Sequence, residues 1–252
     1  MKYKFTASIV LFNHKINDLI SIIKIFNKSE IRCKLFLIDN SATKLTIPKE
    51  NRKNLEYIFT GKNLGYGKGQ NLVLNDIWKH SEIHFLLSPD MKIQKNFLID
   101  SINFLSENTY SVICPKIYYF DNTVQKSIKN FPKPINLFIR SLPFPKFIKN
   151  YFNKDYELDE KLFNNLHPVS FASGACLIAK TNVFKEIGIF DEQFFMYMED
   201  VDLCKRINKK FQIIYNPKLY VLHKHTAFSK KRIKFWIIHS ISAIRYFNKW
   251  GW

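Results

Sequence analysis

Phe5-Thr6-Ala7-Ser8-Ile9-Val10-Leu11-Phe12 opens the chain as an apolar run broken only by Thr6 and Ser8, and it passes straight into Asn13-His14. A strand covered on both faces loses the polar alternation of a half-exposed strand, because both sets of side chains need apolar neighbours. Similar short runs recur at Leu35-Phe36-Leu37-Ile38, at 55–59, at His84-Phe85-Leu86-Leu87 and at Ser111-Val112-Ile113-Cys114. Between them lie helical patterns at 18–26, with Leu19, Ile22, Ile23 and Phe26 on one face, at 69–78 and at 96–105. Strand, helix and strand at this spacing predict right-handed crossovers and an open α/β sheet.

Working outward, 117–167 breaks the pattern. It is rich in Pro, Phe and Lys, as in Phe131-Pro132-Lys133-Pro134 and Pro143-Phe144-Pro145-Lys146, and predicts loops and short amphipathic helices without a core of their own. Order returns with Val169-Ser170-Phe171, the run 175–179, a helix near 181–187 and the stretch 188–206. Two further strands are expected at 211–215 and at Tyr220-Val221-Leu222. The chain has 252 residues, which suits one large domain or one domain with an appendage at about 150 residues per domain. With no internal repeat or low-complexity linker, the simplest division is a domain over 1–225 and a C-terminal extension over 226–252.

Thirty-nine Lys and Arg against 21 Asp and Glu leave a net charge of +18, while 46% apolar residues exclude a disordered basic tail. The charge suits nucleic acid, an anionic membrane surface or a phosphorylated substrate. Its Lys, Asn, Ile and Phe richness is also what AT-biased coding alone produces, so the figure decides nothing by itself. Cys33, Cys114, Cys176 and Cys204 form no CxxC pair, which argues against a zinc site or disulfide framework and for a reducing cytosol. The N-terminal run superficially resembles a signal peptide, but it lacks a small-residue cleavage site and reads as the first strand. No stretch approaches the roughly 20 uninterrupted apolar residues of a membrane span.

In open α/β sheets, ligands bind where strands end. Here four successive strand ends carry polar groups: Asn13-His14, Asp39-Asn40-Ser41, the segment 61–71 and Ser88-Pro89-Asp90. Asn63-Leu64-Gly65-Tyr66-Gly67-Lys68-Gly69-Gln70-Asn71 puts three glycines at alternate positions before a helix. That arrangement allows close approach of a ligand and offers free N–H donors to an anion; plain turn glycines are the alternative. Asp39 is placed to accept hydrogen bonds from a nucleobase or ribose, or simply to close its strand with an Asx-turn. Asp90, aimed by Pro89, suits a divalent cation bridging nucleotide phosphates; the alternative is a plain turn carboxylate.

The most informative stretch is Phe190-Asp191-Glu192-Gln193-Phe194-Phe195-Met196-Tyr197-Met198-Glu199-Asp200-Val201-Asp202-Leu203-Cys204-Lys205-Arg206. Five carboxylates cluster there in a strongly basic chain. A helix start that favours acids accounts for part of this. The aromatics Phe194, Phe195 and Tyr197 suggest more: a flexible loop ending in a rigid carboxylate, able to hold a sugar acceptor against a general base.

Taken in order, Val10-Leu11-Phe12-Asn13, Ile38-Asp39-Asn40-Ser41, Asn63-Leu64-Gly65-Tyr66-Gly67 with Asn71, Ser88-Pro89-Asp90, Ser173-Gly174-Ala175, Gly188-Ile189-Phe190-Asp191-Glu192, the Glu199-Asp200-Val201-Asp202-Leu203-Cys204 box and Val221-Leu222-His223 resemble a family 2 inverting glycosyltransferase of the GT-A fold. Within that family the chain is most similar to bacterial rhamnosyltransferases of O-antigen and related polysaccharide assembly. It departs in having Ser88 where Asn is usual, Ile189 for a frequent glycine, and Met91-Lys92 after Asp90, which reduces the metal motif to one acid.

The resemblance implies an α/β fold of GT-A (Rossmann-like) type: a mixed, mostly parallel central sheet flanked by helices, with a C-terminal amphipathic helical extension. It implies a nucleotide diphosphate sugar, first of all dTDP-rhamnose and otherwise a UDP-hexose or UDP-N-acetylhexosamine, held by Phe12, Asn13, Asp39, Asn63, Gly65, Asn71 and Asp90. A divalent cation, Mg²⁺ or Mn²⁺, would sit on Asp90 and His223. Asp200 would be the general base with Glu199 beside it, and Ser173, Gly174, Ala175, Phe195, Tyr197 and Asp202 would meet a lipid-linked saccharide acceptor.

Beyond the matched region, 229–250 has apolar residues at 233, 237, 241 and 244, flanked by basic residues and punctuated by Trp and Tyr. This pattern suits an interfacial helix on anionic lipid and equally a helix packed on the domain. Peripheral attachment at the cytoplasmic face of the cell membrane is the expected location. The competing class, a nucleic-acid-binding protein, lacks zinc-finger spacing, an RNP-like pattern or a basic-helix motif, and the acidic box would repel phosphate.

Overall fold

The first apolar run lies at the centre of a sheet, as its composition requires. β1 (Tyr3–Leu11), β2 (Cys33–Asp39), β3 (Leu55–Phe59) and β4 (Ser81–Leu87) are parallel in the order β3-β2-β1-β4. α1 (Ile16–Asn27) and α2 (Tyr66–Leu74) with the one-turn α3 (Ile77–His80) provide the crossovers. The chain is described here by a computed structural model covering residues 2–94, 96–224 and 233–252, with Ser141 described by its backbone alone.

Beyond β4 the sheet becomes mixed. β5 (Met91–Ile93), α4 (Phe97–Glu107) and β6 (Val112–Tyr118) follow in sequence, then the short β7 (Ile128–Lys129), α5 (Pro134–Ser141) and α6 (Lys146–Asn153). β8 (His167–Val169), β9 (Phe171–Ala172), β10 (Cys176–Lys180), α7 (Asn182–Ile187), α8 (Glu199–Ile207), β11 (Ile213–His223) and α9 (Ile233–Trp250) complete the described elements. β10 inserts antiparallel between β4 and β6, β11 runs parallel to β6, and β5 and β8 pair antiparallel with β11. The expected mostly parallel α/β sheet flanked by helices is present, and so is the C-terminal helix.

Two boundaries differ from expectation. The strands expected at 211–215 and 220–222 are one strand, β11, whose register with β6 shifts between Asn216 and Tyr220. Pro217 lies in the shifted segment and Pro115 faces it from β6; neither has an N–H for the ladder, so the strand bulges there and resumes. The helix expected over 69–78 begins earlier, at Tyr66, and breaks between Leu74 and Ile77.

Alternate residues of the central strands feed two cores, one on each face. Ile9, Leu37, Phe85 and Leu87 pack with Leu19, Ile23 and Phe26 of α1, while Ile38 and Leu86 pack with Leu74, Ile77 and Phe184. Thr6 and Ser8, the polar interruptions of β1, are fully buried and bind the His84 ring of β4 at 2.7 Å each, and Ser8 also binds Gln70 of α2. Burial drives the His84 pKa down to about 3, so the ring is neutral and serves as a satisfied core histidine.

Helix α9 is docked on the domain. Tyr246, Phe247 and Ser242 are buried, and Ser242 Oγ donates to the Met196 carbonyl at 2.8 Å. Each buried aromatic of this kind contributes about 1.5–3 kcal/mol relative to exposure. Its other face bares Ile233, Trp236, Ile237, Ile241 and Ile244, so packing and exposure coexist on one helix. The expected boundary at 225/226 and the basic residues Lys230, Lys231 and Arg232 lie outside the described residues. Among the described residues no helix is long and apolar enough to cross a membrane.

Candidate active site

Parallel register sets the strand ends side by side. Leu11 pairs with Asp39 and Ile9 with Leu87, so Asn13, Asp39 and the turn Ser88-Pro89-Asp90 emerge along one edge. Phe12 and Asn13 are exposed. Asn13 takes a left-handed φ of 58°, which Asn tolerates better than most residues, and its N–H donates to Ser41 Oγ at 2.8 Å. Asp39 is buried. Its carboxylate accepts from Ser41 N at 3.0 Å, Leu45 N at 3.3 Å and Tyr57 OH at 2.5 Å. Burial and this carboxylate push the Tyr57 pKa up to about 12, keeping the phenol protonated as a donor. Asp39 therefore does close its turn, and it does so at the same strand-end edge as Asn13 and Asp90.

The glycine segment works differently from the expectation that it admits a ligand. Gly65 has φ 84°, and a Cβ there would stand 2.0 Å from the Phe195 carbonyl oxygen. A Cβ on Gly67 would meet Phe190 at 3.0 Å, and one on Gly69 would meet Val10 at 3.0 Å. The space beside the glycines is filled by protein. Two N–H groups of the turn and helix start are engaged within the protein, Gly65 with Asn63 Oδ1 at 3.0 Å and Tyr66 with the Phe195 carbonyl at 3.2 Å. Asn71 is buried, exchanging hydrogen bonds with the Phe190 backbone at 2.9 and 3.0 Å and donating to Glu192 at 3.2 Å. Asn63, Gly65 and Asn71 thus clamp the 190–196 loop onto α2.

That loop is correspondingly not the flexible one expected. Phe194 is fully buried, Ser242 of α9 holds the Met196 carbonyl, and Arg245 holds that of Gln193. Tyr197, with its ring 5.3 Å from His239 of α9, and Met198 both take left-handed backbone conformations, φ 67° and 64°, immediately before α8. Two adjacent non-glycine residues in this region are a costly local geometry that persists only when surroundings impose it. Here it aims the first turn of α8.

On that turn, Asp200 Oδ2 accepts from Gly174 N at 3.0 Å and Oδ1 from Val201 N at 2.9 Å. Burial raises the Asp200 pKa above the usual aspartate value, although the hydrogen bonds from Gly174 and Val201 counter it. Glu199 is 6% exposed and its Oε2 has no hydrogen-bond partner. Burial first, then the neighbouring Asp200 charge, raise the Glu199 pKa well above normal and hold the carboxyl neutral. Of the two acids, Asp200 is the one equipped to act as a base.

The segment Ser173-Gly174-Ala175 links the two ends of the site. Gly174 N reaches Asp200, its carbonyl accepts from Tyr66 OH at 2.7 Å, and the Ala175 carbonyl accepts from Ser88 N at 2.8 Å, two residues before Asp90. A Cβ on Gly174 would lie 3.0 Å from Asp200 Cβ. Ser173 Oγ accepts from Ala175 N at 3.3 Å and shapes the turn.

Asp202 requires a correction. Expected to meet an acceptor, it is 0% exposed and its carboxylate is fully occupied by Arg206 at 2.9 Å, Lys249 at 2.8 Å and Trp250 Nε1 at 2.9 Å. Two residues along a helix turn it about 200° from Asp200, toward α9.

For a cation, Asp90 and His223 are neighbours across the β5–β11 ladder, where His223 pairs with Met91. His14 adds a third group, its Nε2 3.6 Å from Asp90 Oδ1. The polar contact with His14, together with the nearby charges of His223 and Lys224, holds the Asp90 carboxyl below the usual aspartate range despite partial burial. His223 Nδ1 lies 3.1 Å from Gln125 Oε1, a contact that orients the imidazole ring beside Asp90. Among the described residues no group of three or more His, Cys, Asp or Glu is arranged to hold a metal by itself. One carboxylate and one imidazole fit a hard cation that draws its other ligands from water and a diphosphate.

Sequence reasoning missed three residues. His14 was visible as a strand-end polar group but not as Asp90's partner. Tyr66 was visible within the glycine segment but not as the ligand of the Gly174 carbonyl. Lys129 carried no signal, lying in the irregular segment; its Nζ sits 4.9 Å over the Tyr156 ring and feels the Asp200 charge. Burial and the nearby Arg140 lower its pKa to about 8.

No protein-family model matches the chain. Low-salt glycan biosynthesis hexosyltransferase Agl10 of Haloferax volcanii is 26% identical over 207 residues, covering 81% of this chain and 62% of the relative. N-acetylglucosaminyl-diphospho-decaprenol L-rhamnosyltransferase of Mycobacterium tuberculosis is 29% identical over 212 residues, covering 79% of this chain and 68% of the relative. The chain thus spans about three fifths to two thirds of these relatives' length. Among solved structures, S. aureus TarS 1–349 superposes with TM-score 0.58 at 16% identity, covering 98% of this chain and 66% of that one. The mannosyltransferase PcManGT of Pyrobaculum calidifontis, in complex with GDP-Man and Mn²⁺, superposes with TM-score 0.56 at 12% identity, covering 97% and 65%. The fold is that of GT-A glycosyltransferases, and the named relatives are a hexosyltransferase and a rhamnosyltransferase, in agreement with the resemblance read from the motifs.

Proposed function

We propose that the chain is an inverting glycosyltransferase that moves a sugar, in the first instance L-rhamnose from dTDP-rhamnose, to a lipid-linked precursor of a cell-surface polysaccharide. The observation that carries this reading is the hydrogen-bonded path from Ser88 through Ala175 and Gly174 to Asp200, which ties the strand-end edge at Asp90 to a carboxylate whose pKa burial raises. The relative named for L-rhamnose transfer to N-acetylglucosaminyl-diphospho-decaprenol supports both the sugar and the lipid diphosphate class of acceptor. A UDP-hexose or UDP-N-acetylhexosamine is the alternative donor.

In this reading the donor lies across the strand ends, with its base near Asn13 and Asp39. Asp90, with His223, would hold a Mg²⁺ or Mn²⁺ ion that offsets charge on the leaving diphosphate. Asp200 removes the proton of the acceptor hydroxyl. That oxygen attacks the anomeric carbon opposite the diphosphate, the new C–O bond forms as the bond to phosphate oxygen breaks, and the configuration inverts. Phe195 and Tyr197 flank the acceptor, and neutral Glu199 supports Asp200 from behind. The bared face of α9 contributes peripheral contact with an anionic membrane at the cytoplasmic side.

The test is transfer from a panel of nucleotide sugars to an N-acetylglucosaminyl-diphospho-lipid by the purified chain, with product anomers assigned by NMR. Transfer of rhamnose with inversion is expected. Asp90→Ala should weaken donor binding only when Mg²⁺ or Mn²⁺ is present; equal affinity with and without metal in the parent chain removes Asp90's metal role.

A further inference from the structure

The α5–α6 hairpin has no part in the chemistry just described, yet it is the most unusual surface of the molecule. Phe138 is 57% exposed, Phe147 73%, Tyr151 78% and Phe152 40%. Contiguous exposed aromatics of this size mark an interaction surface in a folded protein. Nor are they loosely hung. Asn136 and Asn153 are buried, Asn136 Nδ2 donates to the Phe152 carbonyl at 2.7 Å, and Ile139 is inserted into the interior. The hairpin is therefore pinned by one face and holds its aromatic face outward.

The surrounding charge identifies the occupant. Residues 131–154 contain five Lys and Arg and no Asp or Glu; of these, Lys133 pairs with Asp155 at 3.8 Å and Arg140 with Glu157 at 2.8 Å, both just beyond the segment. Lys146, Lys149 and Lys154 meet no carboxylate among the described residues. Two copies paired face to face would bring like charges together, whereas an anionic surface neutralises them while accepting the rings. Short helices with aromatic and basic residues interleaved are suited to the headgroup–acyl boundary of a bilayer. Place points the same way. α5 packs against α9, and Arg140 of α5 lies 5.4 Å over the Tyr156 ring, which also receives Lys129, the lysine that feels the Asp200 charge.

We infer that the α5–α6 hairpin is a membrane-docking element that seats Phe147 and Tyr151 in an anionic bilayer. The inference deepens the proposed function by naming the surface on which a lipid-borne acceptor is met; only that consequence, not the docking itself, rests on the transferase reading.

Flotation of the full chain with phosphatidylcholine vesicles carrying phosphatidylglycerol, against pure phosphatidylcholine, tests it. The parent chain should float with the anionic vesicles alone. Phe147→Ser with Tyr151→Ser should lower partitioning about tenfold or more, and Lys146→Glu with Lys149→Glu similarly, since each lysine near an anionic surface is worth about fivefold. Melting temperature and transfer to a soluble acceptor should stay as in the parent. Two results overturn the inference: variants that float like the parent, or a parent that light scattering shows to be a dimer which the variants make monomeric. Flotation without any sugar transfer would count against the enzymatic reading and leave docking standing.

Discussion

The two sides of helix α8 carry the same residue type in opposite conditions. Asp200 lies against Gly174, accepts backbone N–H groups from Gly174 and Val201, and has its pKa raised by burial. Asp202 faces α9 and is enclosed by Arg206, Lys249 and Trp250. The other acids of the island divide in the same way: Asp191 pairs with Lys249 at 2.6 Å and Glu192 with Lys68 at 2.9 Å, while among the described residues Glu199 and Asp200 meet no cation in a salt bridge. A carboxylate matched by ammonium and guanidinium groups holds structure together; one left without them keeps its proton chemistry. The acidic island thus contains both a latch for the C-terminal helix and a candidate base.

Five measurements would sharpen or break this contrast. The largest effect belongs to Asp200→Asn, which should cut turnover by about 10²–10⁴-fold, the usual contribution of a general base, with donor affinity unchanged by calorimetry. Because the carboxylate form is the active one and its pKa is raised, the parent's kcat/KM should fall as pH drops through a value above 3.8, a limb the variant lacks. Near-normal turnover in a variant that still binds donor would sink the assignment.

Asp202→Asn should act on stability instead. It leaves Arg206 and Lys249 without their buried counter-charge and should cost about 3–5 kcal/mol in denaturant unfolding. An unchanged midpoint would mean that the latch is decorative. Gly174→Ala probes the join between the sides: its new Cβ would press on Asp200 Cβ at 3.0 Å, and overpacking of that kind costs about 1–3 kcal/mol. We expect kcat to fall while donor affinity holds, a split that a general loss of folding does not produce.

Trp250→Phe removes one hydrogen bond to Asp202 while keeping an aromatic ring, for a loss of about 1 kcal/mol in the same unfolding assay. Smallest of all, Glu199→Gln replaces a neutral acid by a neutral amide and should leave turnover at the parent level. Its signature lies in stability against pH. With a raised folded pKa, Glu199 contributes fully below its usual value of 4.5, and the contribution is lost as pH rises toward the folded pKa. The glutamine variant should therefore gain on the parent as pH increases, and parallel pH–stability curves would show that Glu199 is not held protonated.

Much of the strand-end edge was legible because it is local. Apolar runs announced β1 to β4, and the polar residues directly after them had to appear at the strand ends, which is why Asn13, Asp39 and Asp90 lie along one edge. The glycines at 65, 67 and 69 were legible as close-approach positions, but sequence proximity could not say what approaches; the answer is Phe195, Phe190 and Val10. The acidic island was less readable. Asp202 has a local partner in Arg206 at i+4, but its full enclosure depends on Lys249 and Trp250, which fold back over 40 residues later in the chain. Lys129 belongs to a segment without periodicity, so nothing local foretold its place near Asp200.

By itself the sequence determined the sheet, the edge where a ligand would bind and the acidic island as the centre of interest, since strand burial and turn chemistry depend on neighbours a few residues apart. Only the tertiary structure decided which acids of that island are matched by cations and which are not. It also decided that α9 is both a latch and a bared surface, and that the aromatic loop is clamped. Each of these depends on groups brought together from distant parts of the chain, and a side chain's charge state and exposure follow from that company, not from its residue type.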